Sequence, residues 1–432
     1  MSPTIISLII LTVFLGLLAL GLEIFAAMGL AGVVGFTLFL HQSPSFFANV
    51  GWNTMNSFTY SAVPLFVFMG AIFANTGVVG YLYGAADKII GHMPGGLGTS
   101  TIGACALFGA MTGSSVAAAA TFAAIAFPEM EQKGYDPTLS LGLIAVGGGL
   151  SVLIPPSLVL IIYGGWQQVS VVDLFAGALI PGFMLAFFYV VTIFIMTKTH
   201  AHMFPPPTHH TWKERGIGVL EALPWLGIVA LVLGVIFGGI MTPTEAASFG
   251  AFLAIVAAIG YRRMSWIALK KSAFAAVRIS AMIALVVTSA RILGQVFQQV
   301  GLTDAFADFI LGLGWSKYAI LVVLFVLYMV LGCFMDGLSM LLVTLPFVIP
   351  ILESFNISLI WFGVVFVVVD ETALVTPPFG LNLFAIKSVI PKASLIQIAK
   401  GTLYFFPAIF ILLALCTAFP DIVLWLPNVM FK

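Results

Sequence analysis

The chain has 432 residues, 61% of them apolar and only 7% charged, which excludes a water-soluble domain because polar groups could not cover its surface. Sixteen Lys and Arg balance sixteen Asp and Glu, so no net field gathers nucleic acid or another polyanion. The solvent is therefore lipid, and the fold class is an all-α polytopic membrane protein. Cys105, Cys333 and Cys416 lie inside apolar runs without metal-ligand spacing and read as small buried hydrophobes.

A helix needs about 20 apolar residues to cross the roughly 30 Å hydrocarbon layer. Runs of that length recur at 4–22, 24–40 and 59–76. Met1-Ser2-Pro3 has neither the basic region nor the cleavage motif of a signal peptide, so the first run is expected to stay as a span. An amphipathic stretch at 78–92 precedes an apolar region, 94–128, interrupted by Gly109-Ala110-Met111-Thr112-Gly113-Ser114. This predicts a re-entrant hairpin, whose turn is tolerated at membrane depth only where protein or water satisfies its backbone. The run at 138–164 is broken by Ile154-Pro155-Pro156-Ser157, because prolines remove helix donors and clash with the preceding turn. A span at 173–197 leads into a polar linker, 198–217, holding Lys198, Pro205-Pro206-Pro207, Lys213 and Arg215.

The pattern then repeats. A shift of 222 residues lays Glu23 on Glu245, Pro128 on Pro350 and Pro155-Pro156 on Pro377-Pro378. Spans at 218–240, 244–260 and 274–298 and an amphipathic stretch at 302–314 are followed by a hairpin at 318–352, interrupted by Gly332-Cys333-Phe334-Met335-Asp336-Gly337. A proline-broken span at 358–388 and a last span at 402–426 complete the second copy. The predicted units are a first repeat, 1–197, a cytoplasmic linker, 198–217, and a second repeat, 218–432. Broken helices at matching places in two halves point to the binding site of a secondary transporter.

About five net crossings and one hairpin per copy is an odd number, so the copies are predicted to lie inverted. Lys88, Lys133, Lys198, Lys213, Arg215, Arg262, Arg263, Lys270, Lys271, Lys392 and Lys400 fall on one predicted side, Lys317 and Lys432 on the other. The crowded side is cytoplasmic by the positive-inside rule, and both termini are expected to be periplasmic.

Four half-helix breaks are predicted to converge, offering free amides at N-termini and free carbonyls at C-termini. The tip Thr112-Gly113-Ser114-Ser115 would face Ile154-Pro155-Pro156-Ser157, and Asp336-Gly337 would face Thr376-Pro377-Pro378. Carbonyls and hydroxyls approached closely through glycine suit Na+ better than a transition metal. The competing reading is that glycine and serine only permit tight helix packing.

In this order, Gly113-Ser114-Ser115-Val116-Ala117 with Pro128, Gly134-Tyr135-Asp136, Ile154-Pro155-Pro156-Ser157 through Tyr163-Gly164, Thr242-Pro243-Thr244-Glu245-Ala246-Ala247 and Thr376-Pro377-Pro378-Phe379-Gly380-Leu381-Asn382-Leu383 carry a likeness. The chain resembles, over nearly its whole length, the large membrane subunit of tripartite ATP-independent periplasmic (TRAP) transporters. That resemblance implies an inverted-repeat elevator fold with scaffold and transport domains, Na+ coupling and a bacterial inner-membrane location. It also implies a small four-helix membrane subunit and a periplasmic substrate-binding protein that delivers a small organic anion. Two positions depart from the family pattern: Ala118 stands where many relatives have Asp, and Ala373 where glycine is usual. Glu371 keeps a usual acidic position, with Asp370 an additional carboxylate beside it.

Sodium site 1 is accordingly expected at Gly109, Thr112, Gly113, Ser114, Gly149, Ile154 and Pro155, and sodium site 2 at Gly332, Asp336, Gly337, Glu371, Thr376 and Pro377. The anion is expected at Ser114, Ser115, Ser157, Thr376, Asn382 and Arg291. An unpaired ion at mid-membrane costs at least about 2.5–3.5 kcal/mol, which singles out Arg291, Asp336, Asp370 and Glu371. Arg291 reads either as the planar fork that grips a carboxylate or sulfonate, or as half of a buried pair with an acidic neighbour. Asp336 reads as an ion ligand at a hairpin tip. Glu23 and Glu245 begin equivalent spans and are expected to cap them, while Glu129 and Glu131 face solvent. His200, His202, His209 and His210 fit no closed tetrahedral metal site and read as a solvated loop.

No phosphate-cradling loop and no nucleophile with a base is present, so neither ATP hydrolysis nor enzymatic chemistry is expected. The reading is an ion-coupled anion transporter in which cations order the tips before the anion binds. A stand-alone carrier of the same superfamily is the alternative, and a channel a more distant one. Dicarboxylates, keto acids, sialic acid, sulfonates and sugar acids all suit a dipole-lined site.

Overall fold

The computed structural model describes residues 3–41, 43–206 and 210–430. Among the described residues every regular element is a helix. Helices α1 (Pro3–Ala19) and α2 (Ile24–Val34, prolonged by a π turn over Gly35–Phe39) correspond to the first two predicted runs and are apolar but shorter than a full span. A 3₁₀ turn at Phe58–Ser61 leads into α4 (Ala62–Asn75), and α5 (Val78–Ile90) is the amphipathic stretch. Hydropathy does not predict α3 (Pro44–Met55), in which Asn49, Asn53 and Thr54 dilute the apolar residues below the density of a span.

The first hairpin is α6 (Gly96–Thr112) with α7 (Ser115–Gln132), and the first broken helix is α8 (Pro137–Leu153) with α9 (Leu158–Gln167). Helix α10 (Val171–Thr199) follows. In the second repeat come α11 (Trp212–Phe237), α12 (Pro243–Gly260), α13 (Trp266–Gln299) and α14 (Leu302–Gly312). The second hairpin is α15 (Lys317–Gly332) with α16 (Gly337–Ser354), and the second broken helix is α17 (Leu359–Leu374) with α18 (Leu381–Val389). Among the described residues seven helices, or eight counting one bent pair, are long and apolar enough to cross a membrane, so the chain is a multi-span membrane protein. The order of elements repeats as expected.

Two expected boundaries are corrected. The predicted single span at 402–426 is two helices, α20 (Phe406–Ala418) and α21 (Asp421–Met430), preceded by α19 (Leu395–Leu403), with α19 and α20 bent by 52°. Pro407 sits in the first turn of α20 and Pro420 precedes α21, where a missing amide donor starts a helix rather than continuing one. The linker is shorter than 198–217, because Thr211 and Glu214 form a capping box that starts α11 at Trp212. Lys198, Lys213 and Arg215 thus lie on helices. Pro207, His209, Lys432 and Met1-Ser2 lie outside the described residues.

The expected capping carboxylates differ. Glu245 Oε2 accepts from the Thr242 amide at 2.8 Å and completes a capping box on α12, whereas Glu23, at the N-cap of α2, makes no side-chain cap bond. Glu131 is exposed, and Glu129 pairs with Lys133 at 3.2 Å one turn away.

Packing divides the helices into two neighbourhoods. Helix α13 lies against α2 and α4, α12 against α4, and α11 against α5. Both arms of the first hairpin pack on α8, which also crosses α17 and α19, while α7 packs on α18 of the other repeat. Helix α8 is buried from Leu139 to Leu153. It passes α19 backbone to backbone: a Cβ added at Gly401 would stand 2.0 Å from the Thr138 carbonyl oxygen. The Gly134-Tyr135-Asp136 motif turns the chain between hairpin and broken helix. Gly134 takes a φ of +87°, Tyr135 Oη accepts from the Leu97 amide at 3.0 Å, and Asp136 Oδ1 accepts from the Leu139 amide to cap α8. Tyr135→Phe leaves a buried amide at the start of α6 unanswered and is expected to cost about 1–2 kcal/mol, read from thermal unfolding in detergent.

Candidate ion and anion site

Each hairpin tip lies against the proline break of its own repeat. Gly113 ends α6 in the left-handed region, φ +59°, and a Cβ there would stand 2.8 Å from the Pro156 carbonyl oxygen and 3.3 Å from the Leu158 amide. Ser114 caps α7 by accepting from the Ala117 amide at 3.4 Å, and Ser157, fully buried, caps α9 by accepting from the Leu160 amide. Ile154 leaves α8 in extended conformation just before Pro155. Thr112 Oγ1 donates to the Phe108 carbonyl at 3.1 Å, which leaves the hydroxyl lone pairs free to face the tip. Gly109 brings α6 onto α8: a Cβ there would stand 2.3 Å from Ser151 Cα.

In the second repeat the Cys333 thiol lies against the Thr376 and Pro377 carbonyls at 3.9 and 3.7 Å, which places that tip on its break. Thr376 Oγ1 donates to the Thr372 carbonyl. The methyl of Ala373 fills the space beside Gly332, 2.4 Å from where a Cβ would sit, so the departure from glycine closes the gap at this tip. Asp336 is already occupied: Oδ1 accepts from the Ser339 amide at 3.0 Å and Oδ2 from the Ser339 hydroxyl at 2.6 Å, which caps α16. It stands at the start of α16, at the hairpin tip.

Two carboxylates carry the strongest signal. Asp370 and Glu371 are 1% and 2% exposed. Asp370 Oδ1 and both Glu371 oxygens are buried without a hydrogen-bond partner, and no ion pair among the described residues involves either. The Asp370 carboxyl lies against Gly337 at the hairpin tip, and Glu371 Oε2 against Gly149 of α8, at 2.0 and 2.1 Å from where a Cβ would be. Glycine at both positions therefore makes room for a carboxylate. Gly149 and Glu371 are 222 residues apart, so the two broken helices cross at equivalent positions, and the two expected sodium sites adjoin there.

The repeats also meet at Ser115 and Asn382, both buried. Asn382 Nδ2 donates to Ser115 Oγ at 2.7 Å and to the Ala145 carbonyl at 3.2 Å. Ser114 adjoins this pair in sequence, Ser157 lies at the first break beside Gly113, and Thr376 at the second beside Cys333. Arg291 lies elsewhere. It donates to the Trp166 carbonyl at 3.0 Å, with its guanidinium 4.0 Å from the centre of the Trp166 ring, at the end of α9 away from Ser157. No acidic neighbour pairs with it among the described residues, so the buried-pair reading is replaced by a helix C-terminus and an aromatic face. Among the described histidines, His210 Nε2 lies 3.1 Å from Asp87 Oδ2 and His200 meets the Tyr404 ring edge-on; the described residues contain no group of three or more side chains able to hold a metal ion.

Comparison with known proteins decides the family. Residues 11–422 match the tripartite ATP-independent periplasmic transporter DctM component. The chain belongs to this family. The permease is 31% identical, over 93% of this chain and 94% of the relative, to the C4-dicarboxylate TRAP transporter large permease protein DctM of Pseudomonas aeruginosa. It is 29% identical to the isethionate TRAP transporter permease protein DctMQ of Oleidesulfovibrio alaskensis over 94% of this chain, and spans 64% of that longer protein. The solved YdaH transporter of Alcanivorax borkumensis shares the fold at a TM-score of 0.61 and 15% identity, over 88% of this chain and 90% of that one. These relatives are named as permeases and not as enzymes.

Proposed function

We propose that the permease is the transport subunit of a Na+-coupled importer of a small organic anion, working in the bacterial inner membrane with both termini periplasmic. The observation that carries this reading is the pair of buried, unpartnered carboxylates, Asp370 and Glu371, seated against Gly337 and Gly149. A carboxylate held in an apolar interior without a counter-charge is costly. Carbonyls and hydroxyls of the adjoining tips supply the hard oxygen donors that suit a bound Na+. In this reading sodium site 1 is formed at Gly109, Thr112–Ser114, Gly149, Ile154 and Pro155. Site 2 is formed at Gly332, Asp336, Gly337, Glu371, Thr376 and Pro377. The anion is held between them by half-helix N-termini and by Ser114, Ser115, Ser157, Thr376 and Asn382.

The relatives named for a C4-dicarboxylate and for isethionate have anionic solutes in common, which supports a carboxylate or sulfonate here. The word "tripartite" in the family name supports a small membrane subunit and a periplasmic binding protein as partners. The hairpins and broken helices, packed on one another around α8, form the moving domain of an elevator in this reading. Helices α2, α4, α12 and α13 form the scaffold, and each repeat, 1–197 and 218–432, contributes to both. Coupling arises because the anion-competent geometry of the tips is populated only when cations hold them.

Proteoliposomes containing the permease with its partners provide the test. Ser114→Leu and Asp336→Leu are expected to abolish Na+-dependent uptake. Asp336→Asn, which still caps α16, separates lost charge from lost fold. Uptake in all three variants at the wild-type level would remove both residues from the site, and uptake indifferent to Na+ would overturn the coupling.

A further inference from the structure

Between α3, the turn at Phe58–Ser61, the end of α9 and α13 lies a cavity of about 330 Å³, whose polar lining includes Asn49, Asn53, Ser57, Gln168, Arg291 and Gln295. Arg291 is its one formal charge, and no lining residue is acidic. Arg291 and Gln295 also line a second cavity of about 410 Å³ that contains Asp304 and Glu353, where two carboxylates outweigh the one cation. The first cavity is thus the one of the two whose formal charge is positive. Stacking on Trp166 and one bond to the Trp166 carbonyl fix the plane of the guanidinium. The Tyr60 hydroxyl faces the guanidinium across the same cavity, and the remaining donors of its five are open to a ligand. Around it, Gln295 Oε1 is buried without a partner, Asn49 and Asn53 are exposed, and Gln168 is committed to the Gly165 carbonyl at 2.8 Å.

We propose that this cavity is an outer subsite that takes a small organic anion, a carboxylate or sulfonate, before the anion reaches the cradle at the hairpin tips. The subsite rests on the import reading given above. A fixed guanidinium with neighbouring carboxamides is the donor set for a planar carboxylate or a sulfonate, and the volume falls at the lower end of small-molecule pockets. Helix α9 links the two stations: Ser157 caps its start in the cradle and Trp166 meets Arg291 at its end, about 14 Å apart at 1.5 Å per residue. Arg291 is eight residues from the end of α13 opposite Lys270 and Lys271, on the side from which the binding protein would deliver its cargo. The lining comes from α13 of the scaffold, from α3 packed on it, and from the end of α9 of the moving domain. A shift of α9 thus changes the grip on the anion.

Thiol labelling in nanodiscs tests this without requiring transport. Asn53→Cys is made in the full-length permease, whose native cysteines are buried. It is treated with the anionic sulfonatoethyl or the cationic trimethylammonium methanethiosulfonate reagent, with rates normalised to a free thiol. The anionic reagent is expected to react about tenfold faster, since a unit charge a few ångströms away acts at low effective dielectric. The preference should survive Arg291→Lys and collapse in Arg291→Gln. Succinate and isethionate should protect Asn53→Cys saturably, with the protecting concentration raised about tenfold or more in Arg291→Gln. Equal rates for the two reagents, or a preference that persists in Arg291→Gln, would show that Arg291 only caps α9 and would overturn the subsite. Protection by the purified binding protein but by neither free anion would overturn it in favour of a protein-docking surface. Absence of any uptake of either anion by the complete transporter would sink the import reading, while the charge preference at Asn53→Cys would still report on the cavity.

Discussion

Glu371→Gln is expected to leave the permease folded and inserted while raising the Na+ concentration for half-maximal uptake at least about a hundredfold. The side chain is 2% exposed, and neither oxygen makes a hydrogen bond, so the isosteric amide removes charge without breaking a contact. A unit charge about 4 Å from a bound cation contributes about 4 kcal/mol at an effective dielectric near 20, more than the hundredfold effect requires. Thermal stability in detergent without Na+ should be unchanged or higher, because a buried charge without a partner destabilises the fold. Sodium should no longer raise it, since stabilisation by a ligand scales with its binding. Wild-type Na+ dependence of uptake in this variant would remove Glu371 from the ion site, whatever its burial.

Gly142→Val is expected to be the most damaging single change to the fold. A Cβ at Gly142 would stand 2.1 Å from the Gly401 carbonyl carbon, and one at Gly401 would stand 2.0 Å from the Thr138 carbonyl oxygen. Both obstacles are backbone, so no side chain can swing aside, and helices α8 and α19 must separate. Overpacking of this kind costs at least about 3 kcal/mol, which should appear as a lower melting temperature and aggregated material on size exclusion. A monodisperse Gly142→Val protein with wild-type melting would contradict the crossing. Gly227→Val, which meets nothing within 4 Å, is the control for valine in a span.

The hairpins and broken helices were legible because their signals are local. Proline removes a donor wherever it stands, and Gly113 and Asp336 mark helix ends by their own chemistry. The 222-residue register then transferred the reading from one half to the other. What lay beyond the sequence was contact between halves. Register alone pairs Gly149 with Glu371, yet nothing in it says that this pair, rather than any other, sits where the repeats cross. Hydropathy also missed α3, since a short helix carrying Asn49 and Asn53 lacks the apolar density of a span. Periodicity could not show that the last span is bent by 52° after α19. Arg291 was recognisable as an intramembrane charge, but its partner, a carbonyl exposed by the end of α9, exists only once the broken helix has folded.

The bond from Asn382 to Ser115 means that neither half of this chain closes the crossing alone. The first tip leans on the second broken helix through α7 and α18, so either half by itself would leave Ser115 without its carboxamide partner and Glu371 without the gap that Gly149 provides.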